Sequence, residues 1–162
     1  MQPSRKKNRL APFDYNSRET YFITICTKDK KCILGTVCRE QEGDPAAVRL
    51  SETGKIVRKY IESAGKSDGI TIEKYVIMPN HIHLLVFVQN ELLVKKDFEN
   101  KQHKAIPTMV GAIKRLTNRE IGENIFQRSF YDHIIRNDRD YEKIWDYIEG
   151  NPAEWLKDRF FR

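Results

Sequence analysis

Tyr75-Val-Ile-Met-Pro-Asn-His81-Ile-His83-Leu-Leu-Val-Phe87 sets two histidines two residues apart within a run of apolar and β-branched residues. Alternate side chains of a strand share a face. Strand spacing therefore sends His81 and His83 to one side and Ile82 to the other, into a core. Two imidazoles on one face can hold a divalent cation. A single His-x-His is a weak sign by itself, since the same spacing fits a surface pair or partners satisfied within a polar cluster. Pro79-Asn80 brings turn chemistry just ahead of His81. Thr71 to Met78 and His81 to Val88 are then either an antiparallel pair or one bulged, continuous strand.

Upstream, Tyr21 to Thr27 is rich in β-branched and aromatic residues, and Lys28-Asp-Lys-Lys31 resembles a turn before a second strand near Cys32 to Leu34, so this region reads as a hairpin. Ser51 can cap a helix whose apolar residues Ile56, Val57, Tyr60, Ile61 and Ala64 recur at helical spacing, with Gly65 as its stop. Downstream, Asn90 to Lys104 is a charged loop. A helix follows from about Thr108 to Glu120, with Met109, Val110, Ile113 and Leu116 inward and Lys114, Arg115 and Arg119 off that stripe. That basic flank suits either a solvated face or contacts to phosphates.

The last helix spans about Arg139 to Gly150 and can be read at about 100° per residue. Tyr141, Ile144, Trp145 and Ile148 fall on its core stripe. Tyr147 lies about 100° away, and Asn151, four residues on, sits almost above it. Pro152 suggests a break and a short helix to Asp158. Strands interspersed with helices argue for an α+β sandwich, an antiparallel sheet with helices packed on it.

The 162 residues suit a single domain. Its 29 Lys and Arg against 23 Asp and Glu give a net charge of +6, and Arg5, Lys6, Lys7 and Arg9 fall in the first nine residues without an acid. Residues 1–18 thus read as a basic arm that either frays in solvent or attracts polyanions. No stretch approaches the roughly 20 apolar residues of a membrane span, and no apolar signal core follows the N-terminal charges. The expected location is cytoplasmic, with no membrane partner. Cys26, Cys32 and Cys38 are odd in number and fit neither zinc-knuckle nor disulfide spacing, so they read as free thiols in and near the first strands.

A cation on His81 and His83 needs further ligands. A hard ion such as Mg²⁺ or Mn²⁺ accepts an amide oxygen, which makes Asn151 a candidate. Asn151-Pro152 equally fits a cap and first turn that start the last helix. Tyrosine can attack a metal-polarised phosphorus centre. Tyr60, Tyr75 and Tyr141 fit core or rim positions. Tyr147 stands apart by its helix angle, and Tyr131, among polar neighbours in an expected turn, competes with it.

Tyr21-Phe-Ile-Thr-Ile-Cys-Thr27, Val76-Ile-Met-Pro-Asn-His-Ile-His83, Phe126-Gln-Arg-Ser-Phe-Tyr-Asp-His133 and Asp146-Tyr-Ile-Glu-Gly-Asn-Pro152 together resemble the REP-associated tyrosine transposases, part of the single-tyrosine HUH transposases. The resemblance runs in order along nearly the whole chain, and Met-Pro-Asn-His-x-His combined with Tyr-x-x-x-Asn-Pro is its specific part. One departure is Phe126, where Trp is frequent. The resemblance implies a ferredoxin-like core and a metal-dependent single-stranded DNA endonuclease and strand transferase acting at palindromic hairpins. It implies His81, His83 and Asn151 as metal ligands, Tyr147 as nucleophile, and a 5′-phosphotyrosine intermediate. Monomer or homodimer stays open, and with it whether Tyr147 serves its own subunit's metal. Two other readings remain: a non-catalytic or domesticated DNA-hairpin-binding regulator, and a phosphodiesterase using the histidines as acid and base, which usually needs two separated histidine motifs where this chain has one.

Overall fold

The structure, a computed structural model, describes residues 18–89 and 105–155. Arg5, Lys6, Lys7 and Arg9, the segment Asn90 to Lys104, and the end of the short helix expected up to Asp158 lie outside the described residues.

A four-stranded antiparallel sheet is built from β1 (Arg18–Cys26), β4 (Ile70–Ile77), β5 (His81–Gln89) and β6 (Tyr131–Ile135), in the order β4-β5-β1-β6. Helix α1 (Glu52–Ala64) links β1 to β4, and α2 (Ala105–Ile121) precedes β6. With β4 and β5 joined directly, the sheet elements follow a β-α-β-β-α-β order, the ferredoxin-like plan. Helix α3 (Asp138–Gly150) follows β6.

β5 is central, and its sequence is nearly all apolar because both of its faces are covered. Ile82, Leu84, Val86 and Val88 join Ile23 and Ile25 of β1 in a large core with Val57 and Ile61 of α1 and Ile106, Met109, Val110 and Ile113 of α2. Leu85, Ile135 and Ile148 form a smaller core on the opposite face, flanked by Phe22, Val76, Tyr141, Ile144 and Trp145. Thus α1 and α2 cover one face and α3 the other. His81 and His83 occupy positions on the α3 face that would otherwise be apolar.

Three local features steer the chain to the site. Ser51 caps α1, its Oγ accepting from Gly54 N at 3.0 Å, and Gly65 closes the helix. A Cβ at Gly54 would meet the Leu34 carbonyl oxygen at 2.0 Å, so only glycine allows that approach. Leu34 N in turn donates to Pro79 O at 2.9 Å, tying α1 to the turn before His81. In β4 the register shifts between Ile72 and Lys74, leaving Glu73 as the extra residue of a bulge. Both residues then meet α3: Glu73 accepts from the Tyr141 hydroxyl at 2.9 Å, and Lys74 Nζ lies 4.2 Å from the Trp145 ring centre.

Several sequence expectations are corrected. β1 makes no hairpin with Cys32 to Leu34. It pairs with β5 and β6, while β2 (Gly35–Cys38) and β3 (Ala47–Leu50) form a separate two-stranded sheet. The cause lies in the intervening turn, where Asp29 (φ 56°) and Lys30 (φ 53°) are left-handed and divert the chain from β1. β4 and β5 are an antiparallel pair rather than one bulged strand. In α2 the buried stripe continues through Thr117, and Leu116 is only half-buried. Tyr131 belongs to a strand, not a turn. Cys26 is buried in β1 as expected, whereas Cys32 is exposed, and none of the three is in a disulfide among the described residues. No helix among the described residues is long and apolar enough to cross a membrane.

Candidate active site

His81 and His83 are buried, 0% and 1% exposed, with ring centres 4.6 Å apart, so they are not a surface pair. Each ring is held through Nδ1. His81 Nδ1 lies 2.7 Å from Asn80 Oδ1, and the Asn80 amide is turned that way by its Nδ2, which donates to Lys30 O at 3.4 Å. An amide oxygen only accepts, so Nδ1 of His81 carries the ring hydrogen and Nε2 of the neutral ring keeps its lone pair. His83 Nδ1 lies 2.9 Å from Thr24 Oγ1, the residue directly opposite it on β1. In both rings Nε2 is the nitrogen left over. Both Nε2 atoms are buried and make no hydrogen bond, and the same holds for Oδ1 of Asn151.

Tyr147 and Asn151 reach this face from α3. The Tyr147 ring lies 5.2 Å from His83 and 6.1 Å edge-on from Phe22, yet the residue is 43% exposed. Asn151 is 2% exposed. It does not start a new helix: its backbone is helical (φ −56°, ψ −44°) at the end of α3, and its Nδ2 donates back to Tyr147 O at 2.8 Å. That bond fixes the amide so that Oδ1 is the remaining acceptor. Trp155 closes the other side, stacked at 6.2 Å on His81.

Two imidazole nitrogens and an amide oxygen are a donor set that suits a small divalent cation. Among the described residues no three His, Cys, Asp or Glu side chains gather as a metal group.

Tyr131 shares this face. It pairs with Thr24, which pairs with His83, so the three form one row across the sheet. At strand spacings of about 4.8 Å, Tyr131 stands two strands, or about 10 Å, from His83. It is 60% exposed.

A family model described as "Transposase IS200 like" matches residues 16–151, a span that includes both histidines and Tyr147 and ends on Asn151. The chain belongs to the IS200-like transposase family. Among relatives, an uncharacterized protein of Haemophilus influenzae is 29% identical over 97% of this chain and 93% of its own length. A REP-associated tyrosine transposase of Escherichia coli is 24% identical over 85% of this chain and 70% of its own. A solved structure of a REP-associated tyrosine transposase bound to a REP hairpin superposes with a TM-score of 0.59, at 22% identity over 85% of this chain and 68% of that one. That last likeness is one of fold.

The three cations on the basic flank of α2 differ in their surroundings. Lys114 is half-buried and donates to Gln127 O at 2.7 Å and Ser129 O at 3.1 Å. Burial lowers its ammonium from the ordinary value, and Cys26 opposes that only in part. Its place is under the 127–129 segment that leads into β6, whereas Arg115 and Arg119 are exposed.

Thr24 and Asn80 are the site residues that sequence reasoning missed. Asn80 adjoins His81 in the chain, and that adjacency is a usable signal. Thr24 becomes visible only through the β1–β5 register.

Proposed function

We infer that this protein is a transposase that cleaves and rejoins single-stranded DNA at hairpin-forming sequences through Tyr147. The observation that carries the reading is the Tyr147 ring set 5.2 Å from buried His83, with Asn151 bonded to the carbonyl of Tyr147 itself. The nucleophile and the proposed metal ligands are thereby held as one unit. The REP hairpin bound by the solved relative supports a hairpin-bearing substrate.

In this reading the Tyr147 hydroxyl oxygen attacks the scissile phosphorus. An oxygen–phosphorus bond to the tyrosine forms as the bond to the 3′ oxygen breaks, leaving a 5′-phosphotyrosine and a free 3′-hydroxyl. The exposed phenol loses its proton to solvent, and the leaving oxygen takes one up. A 3′-hydroxyl from another strand then reverses the step. His81, His83 and Asn151 would hold Mg²⁺ or Mn²⁺, and such an ion when bound would supply polarisation of a phosphoryl oxygen and neutralisation of developing charge. Asn80 and Thr24 keep the two rings turned so that Nε2 faces the site, and Phe22 and Trp155 wall it against water. Both halves of the site come from one chain, which favours a nucleophile acting in cis whether the protein is a monomer or a homodimer. We read residues 1–162 as one transposase-like domain, with residues 1–18 as a basic arm that, with Arg115 and Arg119, contacts the DNA backbone.

The test is incubation with hairpin-bearing single-stranded oligonucleotides and Mn²⁺ or Mg²⁺, followed by a denaturing gel. A protein–DNA adduct that Tyr131→Phe retains and Tyr147→Phe abolishes supports the reading. Binding of such oligonucleotides with no adduct would instead favour the regulator.

A further inference from the structure

The segment between β1 and β2 carries three lysines in four residues, Lys28, Lys30 and Lys31, against the single acid Asp29. Lys28 and Lys31 are exposed and Lys30 is half-exposed. Two consecutive residues without glycine's freedom, Asp29 and Lys30, hold positive φ here. Such conformations persist only where the surroundings enforce them, and they concentrate at functional sites.

What enforces this one is the histidine motif. Thr27 N donates to Asn80 O at 3.0 Å, and the single hydrogen of Thr27 Oγ1 is shared between Lys31 O at 2.8 Å and Asn80 O at 3.1 Å. Asn80 Nδ2 donates to Lys30 O, while its Oδ1 receives His81 Nδ1. The turn follows Cys26, which pairs with His81, so it stands at the histidine end of the sheet. One buried asparagine thus joins the cationic turn to the ring that faces the site.

We propose that the turn 28–31 grips the phosphate backbone of the single strand beside the scissile phosphate, with Lys28 and Lys31 as its contacts. This deepens the proposed function by naming where the strand is held next to His81. The ligand chemistry is the repeating phosphodiester, read without regard to base, because the exposed groups are ammonium ions and not planar hydrogen-bonding side chains.

The experiment measures anisotropy of fluorescein-labelled oligo(dT) against salt, with EDTA present and in a Tyr147→Phe background, so that neither metal nor cleavage enters. The variants are Lys28→Gln/Lys31→Gln and, as control, Lys66→Gln at the far end of the sheet. Loss of two phosphate contacts makes the slope of log affinity against log salt shallower by about 1.4, at about 0.7 per phosphate. A shallower slope in the double variant alone supports the proposal. Equal slopes in all three proteins overturn it, whether or not the DNA adduct forms. A shallower slope in the double variant, with no adduct from the protein that keeps Tyr147 when Mn²⁺ or Mg²⁺ is supplied, leaves the contact standing and removes the cleavage reading.

Discussion

Asn80 Oδ1 accepts a hydrogen bond from His81 Nδ1 at 2.7 Å, so the residue just before the histidine decides which ring nitrogen faces the site. Partners of this kind around a metal-binding histidine set its tautomer and raise its basicity, and their loss typically costs 10–100-fold in metal affinity. Asn80→Ala is expected to weaken Mn²⁺ binding by about that factor, measured by titration calorimetry, with near-UV circular dichroism preserved. Unchanged Mn²⁺ affinity in a folded variant would remove Asn80 from this role.

Thr24 holds the His83 ring across the strand pair, its Oγ1 2.9 Å from Nδ1. Thr24→Val keeps the shape and leaves a buried ring nitrogen without its partner. The expected cost is about 1–3 kcal/mol of stability, read from urea unfolding. Thr24→Ser restores the hydroxyl and should recover most of that loss.

The legibility of the site follows from its two periods. Period 2 placed His81 and His83 together in β5, and the helical angle separated Tyr147 from the core stripe of α3, which the structure bears out in the exposure of Tyr147 and the burial of Ile148, whereas Asn151, read on the same flank as Tyr147, is buried. Those signals are local and strong. β6 was missed because Tyr131-Asp-His-Ile-Ile135 is short and opens with polar residues at an edge of the sheet. β2 and β3 are four residues each, and their pairing depends on the diversion at Asp29 and Lys30, which non-glycine residues do not announce. The burial of Thr117 in place of Leu116 likewise reflects how α2 sits on the sheet, a tertiary choice that period alone does not set.

Lys114 and its neighbours on α2 separate structural from DNA-binding charge. Lys114→Gln is expected to cost about 1–3 kcal/mol, because the carbonyls of Gln127 and Ser129 lose a charged donor, while the salt slope of DNA binding stays the same. Arg115→Gln and Arg119→Gln are expected to leave stability within about 0.5 kcal/mol and to make that slope shallower by about 0.7 each. With about five phosphates neutralised, the parent slope is roughly −3.5. The reverse pattern would put Lys114 on the DNA.

Tyr141 anchors the helix that carries Tyr147. Burial, with the hydrogen bond to Glu73 added, pushes its hydroxyl up to about 12 from an ordinary value of 10.0. A raised folded-state value means that its contribution is complete below pH 10 and is lost as pH rises through about 12. The stability difference between the parent and Tyr141→Phe in urea should therefore be constant below pH 10 and vanish toward pH 12. Because Tyr141→Phe keeps the ring, no difference at any pH would show that the ring alone anchors α3, and a difference that persists to the alkaline end would contradict the titration of the hydroxyl.

Tyr131 and Tyr147 are both exposed, so the nucleophile is best identified by where DNA becomes attached. After reaction with a hairpin-bearing single strand and Mn²⁺, nuclease trimming, proteolysis and mass spectrometry locate the residual nucleotide on a peptide. The account predicts it on the Tyr147 hydroxyl in the peptide that also holds Ile148. A nucleotide on Tyr131 would contradict it and move the chemistry to β6.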